Sequence, residues 1–344
     1  MNFVMDIWYF AGLSSDVKTG QLIRRVIAGD PITLGRKKDG QLFALRDICP
    51  HRAAPLSAGA IIDDTVECPY HGWRFRTSDG ACTEIPALCA NQSLATEKIK
   101  VRHYPVREEG ALIWVYIGKD ARRNAAPKID PPAFPFANRR ATLDDSLTLN
   151  CHVDHAVIGL MDPAHGPYVH QQWWWRSRRS MHEKAKAFEP RGHGFAMIAH
   201  TPSSNSFAYK LLGGKPVTEI TFQLPGIRVE EIKVGKTTLL SFTAVTPINE
   251  NKTEIRQVFF TDILIFKLLS PLLKYAARAF LRQDGHMVDL QQMGLQYDPT
   301  LLLIEDADTQ AKWYHALKKE WAKSVSEKRA FKNPVKAKTL RWRS

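Results

Sequence analysis

The sequence predicts an α+β chain in two parts, and three observations carry that reading. Short alternating runs separated by turns extend from Ile7 to Gly118, the pattern of half-buried strands in a small β-domain. A stretch dense in Ala, Pro and Arg follows at 121–136, with Pro127, Pro131, Pro132 and Pro135, and reads as a linker. Beyond it a helical segment precedes a long series of strands, which suggests one large antiparallel sheet. At 344 residues the chain has room for about two domains with a sizeable core. The expected division is 1–120, a linker at 121–136, a second domain at 137–325, and a basic tail at 326–344.

In the first part, Gln21–Ile27, Ile32–Gly35, Leu42–Arg46, Thr65–Cys68 and Leu112–Ile117 read as strands. Lys38-Asp39-Gly40 and Ser78-Asp79-Gly80 read as hairpin-type turns, since Asp-Gly supplies the positive φ they need. In the second part, Val153 to His165 has helical character and is expected to stop at Gly166-Pro167, because proline disfavours helical geometry in the residue before it. Expected strands follow at Phe195–His200, Phe207–Leu211, Thr218–Leu224, Ile227–Ile232, Thr237–Thr246 and Glu254–Ile263. Ser270-Pro271 reads as an N-cap and first helical position for a helix running to about Met293. Its apolar side would carry Leu272, Ala276, Ala279 and Phe280, its polar side Lys274, Arg278 and Arg282. A last helix is expected near Thr309–Ser324.

The formal charge of +13 is uneven: from Lys312 to Ser344 eleven Lys/Arg face Glu320 and Glu327, about +9 of the total. Nothing resembles a nucleic-acid module, so a nucleic-acid partner is not expected. A solvated helical end with a frayed tip is the plain reading of the tail. The cationic residues of the 272–282 segment interrupt it too often for a membrane span. The apolar run Ile263–Leu273 beside the basic tail still allows a peripheral membrane contact and a lipophilic substrate. No secretory signal is visible at Met1–Gly12. Cys82, Cys89 and Cys151 read as reduced thiols of a cytoplasmic protein.

Two constellations carry chemistry. Cys49-Pro50-His51-Arg52 is answered by Cys68-Pro69-Tyr70-His71-Gly72-Trp73, with 16 residues between His51 and Cys68. Thiolates mixed with imidazoles suit zinc or an iron–sulfur cluster. A zinc finger usually sets its two His together on one helix. Here Cys and His alternate on two loops marked by Pro and Gly, and the pattern resembles a Rieske [2Fe–2S] centre. The second constellation is Asp162-Pro163-Ala164-His165-Gly166-Pro167-Tyr168-Val169-His170. Asp162 and His165 share a face if the segment is helical, and His170 can turn back past the Gly-Pro break. Two imidazoles and a carboxylate on one face of a metal form the facial triad of non-haem Fe(II) oxygenases.

On these motifs the chain resembles the catalytic α subunit of a Rieske non-haem iron aromatic-ring-hydroxylating oxygenase. It is similar to the homotrimeric branch that includes vanillate O-demethylase and dicamba monooxygenase, and Leu160–His165 is similar to pheophorbide a oxygenase relatives. The resemblance implies a Rieske domain followed by a helix-grip catalytic domain with a central antiparallel sheet. It implies Cys49, His51, Cys68 and His71 at the [2Fe–2S] cluster, and His165 and His170 at mononuclear iron. Asp162 becomes a bridge, joining His165 to His71 of a neighbouring subunit. Asp284 is the implied third iron ligand, with Asp289 and His286 as rivals on the same helix. Where relatives usually carry Asn this chain has Gly159, so a polar contact near the iron is missing or comes from another residue such as Asn150.

The implied activity is that of a terminal oxygenase using O2 to hydroxylate or oxidatively demethylate an aromatic or alicyclic substrate. Electrons would come from a ferredoxin or flavin reductase, since no Gly-rich dinucleotide turn appears and NAD(P)H must be oxidised elsewhere. The alternatives are cis-dihydroxylation, a Rieske electron carrier and a zinc-stabilised binding module. Arg52 and Trp73 flank the cluster motif and are expected to shield it or meet the electron donor. Trp173-Trp174-Trp175 divides between core and pocket or interface. His152, His155, His182, His193 and His200 have no partner at ligand spacing.

Overall fold

The computed structural model describes residues 3–120, 126–134, 139–170, 179, 181–202, 216–261, 263, 266 and 269–344. The expected strand Phe207–Leu211, the Trp173–Trp175 run and parts of the 121–136 linker lie outside the described residues. The chain divides into two compact units, Met5–Arg139, and Met1–Val4 with Arg140–Ser344.

In the first unit the strands are β1 (Ile7–Leu13), β2 (Leu22–Ile27), β3 (Asp30–Arg36), β4 (Leu42–Arg46), β5 (Ala60–Ile62), β6 (Thr65–Glu67), β7 (Arg74–Arg76), β8 (Cys82–Glu84), β9 (His103–Tyr104), β10 (Val106–Glu109) and β11 (Leu112–Ile117). They form three sheets, ordered β1-β11-β10, β2-β3-β4-β9 and β5-β6-β7-β8. All residues of β1 and β11 are buried. Such continuous apolar runs show no alternation, which is why pattern reading does not single out β1.

In the second unit β12 (Leu143–Leu149), β13 (Glu183–Arg191), β14 (Gly194–His200), β15 (Val217–Gln223), β16 (Ile227–Val234), β17 (Thr237–Asn249), β18 (Lys252–Thr261) and β19 (Lys338–Arg343) make one sheet. Its order is β12-β18-β17-β16-β15-β14-β13-β19, and each neighbouring pair is antiparallel. Among the described residues its helices are α1 (Val153–Met161), α2 (Gly166–Val169), α3 (Ser270–Leu295) and α4 (Thr309–Ser326).

Several expectations are corrected. The helix from Val153 ends at Met161, four residues short of His165. Asp162 has φ −62° and ψ 118°; Pro163 forces that extended geometry on the residue before it. Gly166-Pro167, expected as a stop, instead opens α2, with Pro in the first turn where its missing N–H costs nothing. Ser270 lies inside the first turn of α3, and the cap position falls to Leu269. The end of the chain is not a frayed tail. Lys338–Arg343 pairs with Glu183–Phe188, and its Leu340 and Trp342 are buried. Alternation of apolar and basic residues there is the strand period, masked by charge.

The faces of α3 are also revised. Leu272 is 65 % exposed, whereas Arg278 reaches inward to the buried Asp145 of β12 at 2.9 Å. Asp144 beside it points the other way along the pleat and takes Arg256 of β18 at 2.6 Å. Breaking the Asp145 pair would strand a nearly inaccessible carboxylate, so it fixes α3 on the sheet edge. Gly285 completes the contact: a Cβ there would stand 3.0 Å from a methyl of Leu147.

Helix α1 is anchored at both ends of its role. His152 caps it by accepting the Asp154 N–H. Asp154 takes Lys318 Nζ at 2.5 Å and the Tyr314 hydroxyl at 2.8 Å, both from α4. Burial alone would raise the Asp154 pKa, but these partners outweigh it and hold the carboxyl below the ordinary value.

Candidate metal centres

The two Cys-His loops share one backbone scheme. In the first, the Cys49 N–H donates to Ala54 O and the Ala53 N–H to Cys49 O, each at 2.9 Å. In the second, the Cys68 N–H donates to Trp73 O at 2.8 Å and the Gly72 N–H to Cys68 O at 3.1 Å. Both loops need a positive φ four residues after the cysteine, +58° at Ala53 and +70° at Gly72. Glycine meets that demand without strain; alanine does not. The first loop is pinned further by Asp47, whose buried carboxylate accepts the Thr33 hydroxyl, the Ser57 N–H and the Ser57 hydroxyl.

Both cysteines are buried among Phe43, Leu45, Leu56, Val66 and Phe75, while His51 is exposed and His71 partly so. The imidazoles lie side by side, ring centroids 4.6 Å apart. Trp73 stacks flat on His51 at 4.7 Å and 8°. Burial pushes the Cys49 thiol up to about 11, with the Cys68 sulfur adding to it. A thiolate in that place needs a cation beside it, as a cluster iron would be. Desolvation, then His51 and Arg52, push His71 below the usual histidine range, which favours the neutral ring that ligates. Two dry sulfurs under two outward imidazoles fit a [2Fe–2S] cluster with one Cys pair and one His pair.

The second constellation is assembled from α2, α3 and the turn between α1 and α2. His165 Nε2 and His170 Nε2 stand 3.2 Å apart, and Asp284 Oδ1 is 3.1 Å from His170 Nε2 and 3.7 Å from His165 Nε2. Neighbouring ligands on a metal with bonds of about 2.1 Å are about 3 Å apart, so the three atoms fit one face of a single ion. Each imidazole is turned by its other nitrogen. His165 Nδ1–H donates to the Asp162 carbonyl at 2.9 Å, and His170 Nδ1–H to Gln283 Oε1 at 2.9 Å. Both Nε2 lone pairs are therefore aimed at the common point. Burial opposes a proton on His165, but the Asp162 and Asp284 carboxylates outweigh it and hold its pKa above the ordinary value.

Asp162 and His165 thus meet through a turn, not a helix face. The Ala164 N–H donates to Asp162 Oδ1 at 2.7 Å, and Oδ2 lies 3.6 Å from His165 Nδ1. Asp289 and His286 do not join the group. Asp289 accepts from Asn150 Nδ2 at 3.4 Å, so Asn150 is engaged away from the histidines, and His286 is exposed. Gln283 is the residue that sequence reading passes over. Its only sequence signal is adjacency to Asp284; its partner is 113 residues away.

His165, His170 and Asp284 stand at the wall of a cavity of about 560 Å³ on the inner face of the sheet. Its lining is mostly apolar, with Phe195, Phe222, Leu239 and Phe280 among the walls. Phe280 also packs its ring on His170, centroids 4.6 Å apart. Gly159 lines the cavity with open space where a side chain would be.

Residues 7–105 match the Rieske [2Fe-2S] domain, and residues 149–324 match the vanillate O-demethylase oxygenase C-terminal domain. The oxygenase component of dicamba O-demethylase from Stenotrophomonas maltophilia is 36% identical over 176 residues, 50% of this chain and 49% of that protein. The 4beta-methylsterol monooxygenase of Methylococcus capsulatus is 31% identical over 166 residues, 48% of this chain and 44% of that protein. The chain spans about half or less of the length of these curated relatives. A crystal structure of dicamba monooxygenase bound to dicamba superposes with a TM-score of 0.76 at 22% identity, covering 94% of this chain and 100% of that one. At that identity the likeness establishes the fold. Among the described residues no helix is long and apolar enough to cross a membrane. With one family match spanning more than half of its residues and the other covering the Cys-His loops, the chain belongs to the Rieske non-haem iron oxygenases.

Proposed function

We propose that this chain is the terminal oxygenase component of a multicomponent system, using O2 to monooxygenate a hydrophobic aromatic or alicyclic substrate. The convergence of His165, His170 and Asp284 at the wall of a largely apolar cavity carries the reading. Those three residues would hold an iron that supplies the activation of O2, and Cys49, Cys68, His51 and His71 would hold a cluster able to store an electron. The chain's own groups do the rest. The Asp162 carbonyl and Gln283 orient the imidazoles, and the aromatic walls exclude water from the reacting carbon.

Asp162 is the electron-transfer bridge in this reading. Its carboxylate lies beside His165 Nδ1 and would accept from His71 of a neighbouring subunit, so a homotrimer is the expected assembly. A separate ferredoxin or flavin reductase supplies the electrons and consumes NAD(P)H. The three cysteines outside the cluster motif, Cys82, Cys89 and Cys151, form no disulfide, in keeping with a reducing, cytoplasmic setting. The relatives named above, an O-demethylase component and a sterol methyl monooxygenase, support insertion of one oxygen atom.

The test is turnover with a surrogate ferredoxin and reductase under ¹⁸O₂, against methoxy- and methyl-aromatics, sterols and polycyclic lipids. One labelled oxygen is expected in each hydroxylated product; with a methoxy substrate the phenol keeps its own oxygen and the label leaves with the released formaldehyde. A doubly labelled vicinal diol would replace monooxygenation with cis-dihydroxylation. Absence of substrate-dependent O2 uptake in protein carrying both metals would sink the oxygenase reading.

A further inference from the structure

The cavity has a polar end that the iron site does not use. Strands β13, β14 and β15 lie towards the opposite side of the sheet from β12, the strand on which α3 packs. On β13 the inward positions alternate as Lys184, Lys186 and Phe188, the first and last of them buried. Lys186 lines the cavity between them and donates only a long 3.4 Å bond to the Thr201 carbonyl. Among the described residues it has no carboxylate partner. Glu230, the nearby acid lining the cavity on β16, is taken by Arg228 at 3.0 Å. Partial burial lowers the Lys186 pKa below the usual lysine range.

A second observation points the same way. Thr218 on β15 also lines the cavity, is 2 % exposed, and among the described residues its Oγ1 has no hydrogen-bond partner. It is the direct ladder partner of His200 on β14, whose ring is within electrostatic reach of Lys186. His200 Nδ1–H donates to the Ile198 carbonyl, which fixes the ring as part of the wall. A buried hydroxyl without a partner and, two strands away on the same cavity wall, an ammonium without a carboxylate partner among the described residues together call for an acceptor that carries negative charge.

Resting on the reading of this cavity as the substrate site, we propose that Lys186 and Thr218 bind an oxyanion on the substrate, a carboxylate or sulfonate, at the end opposite its reacting carbon. The strands lie about 4.8 Å apart, and three strands separate β15 from β12. The substrate is therefore an elongated apolar body, its head on β13–β15 and its reacting end at His165, His170 and Asp284. Ile220 and Phe222 on β15 and Leu239 on β17 flank the path of the body.

Calorimetric titration of the metal-loaded full chain with 6-phenylhexanoate and with its uncharged isostere 6-phenylhexanamide tests this. The carboxylate is expected to bind at least tenfold tighter than the amide, the usual return on a charge-assisted hydrogen bond. Lys186→Met should erase that ratio and leave amide binding unchanged, and Lys186→Arg should restore it. Thr218→Val should weaken the carboxylate about threefold more than the amide. Equal affinity of the wild type for both probes, an unchanged ratio in Lys186→Met, or an equal loss for both probes would each overturn the proposal. Heat of binding is read without turnover. A missing charge preference would thus leave the oxygenase reading standing, and a missing oxygenase activity would leave this result standing.

Discussion

The two candidate centres are built in opposite ways. At the Cys-His loops the donors and their support lie close together in the sequence, and the backbone itself closes each loop. At the His-His-Asp group two donors flank α2 and the third comes from α3, and side chains do the holding: Gln283 reaches a histidine 113 residues away. A backbone-built site is set by local φ and ψ. A side-chain-built site is set by whatever fixes the helices, here the ties of α1 to α4 and of α3 to β12. The first should resist substitution of neighbours but not of its turn residues. The second should respond to changes far from the metal.

The largest effect tests whether the two centres are separable. His165→Ala should abolish mononuclear iron and lower turnover by about a thousandfold or more, while the visible spectrum of the cluster survives. Retained iron stoichiometry would remove His165 from the ligand set. Next is the remote tie. Asp154→Ala leaves Lys318, 11 % exposed at its side chain, without its partner. A loss of about 3 kcal/mol is expected in the denaturant unfolding of the second unit, with the cluster spectrum unchanged. Because the folded Asp154 pKa is depressed, its contribution is complete above the unfolded carboxylate value near 3.9 and fades as pH falls through the lower folded value. Asp154→Asn should show the reduced stability already at neutral pH and a weaker acid dependence, measurable by hydrogen exchange on α1.

A smaller effect separates holding from ligation. Gln283→Leu should weaken iron binding about 10- to 100-fold through loss of the His170 orientation, and Gln283→Glu should restore most of it. Metal affinity by competition with a chelator decides this. The smallest effects belong to the loops. Gly72→Ala meets a positive φ and brings a methyl to 3.1 Å from Pro86; about 1–2 kcal/mol of loop stability should be lost. Ala53→Gly relieves the same strain on the other loop and should gain less than about 1 kcal/mol. Thermal retention of cluster absorbance compares the two. Similar responses at both positions would argue against a shared backbone scheme.

Legibility in the sequence follows the same division. Cys49–Trp73 could be read directly because Pro, Gly and the donors occur together and the turn chemistry is local. The long strands β17 and β18 were legible from composition. Strand β12 was not: its Asp144 and Asp145 look like loop residues until Arg256 and Arg278 arrive from elsewhere in the fold. Strand β19 hid behind its basic residues for the same reason. The end of α1 was misplaced because two prolines compete for it, and the earlier one, Pro163, wins. Asp284 came from family resemblance, and the fold then set it beside the histidines in preference to Asp289. Gln283 could not be found at all, since an amide has no chemical signature before its partner is known.

Gly285 follows directly after Asp284 and lies where α3 touches Leu147 most closely. A glycine inside a helix costs about 1 kcal/mol relative to alanine, so Gly285→Ala would strengthen the helix taken alone. The added methyl would also press on the Leu147 side chain of β12, and the contact would have to give by a few tenths of an ångström. Any part of that adjustment taken up by the helix would reach Asp284, whose oxygen lies 3.1 and 3.7 Å from the two histidine nitrogens. Helix strength and the placing of Asp284 therefore make opposite demands on this position.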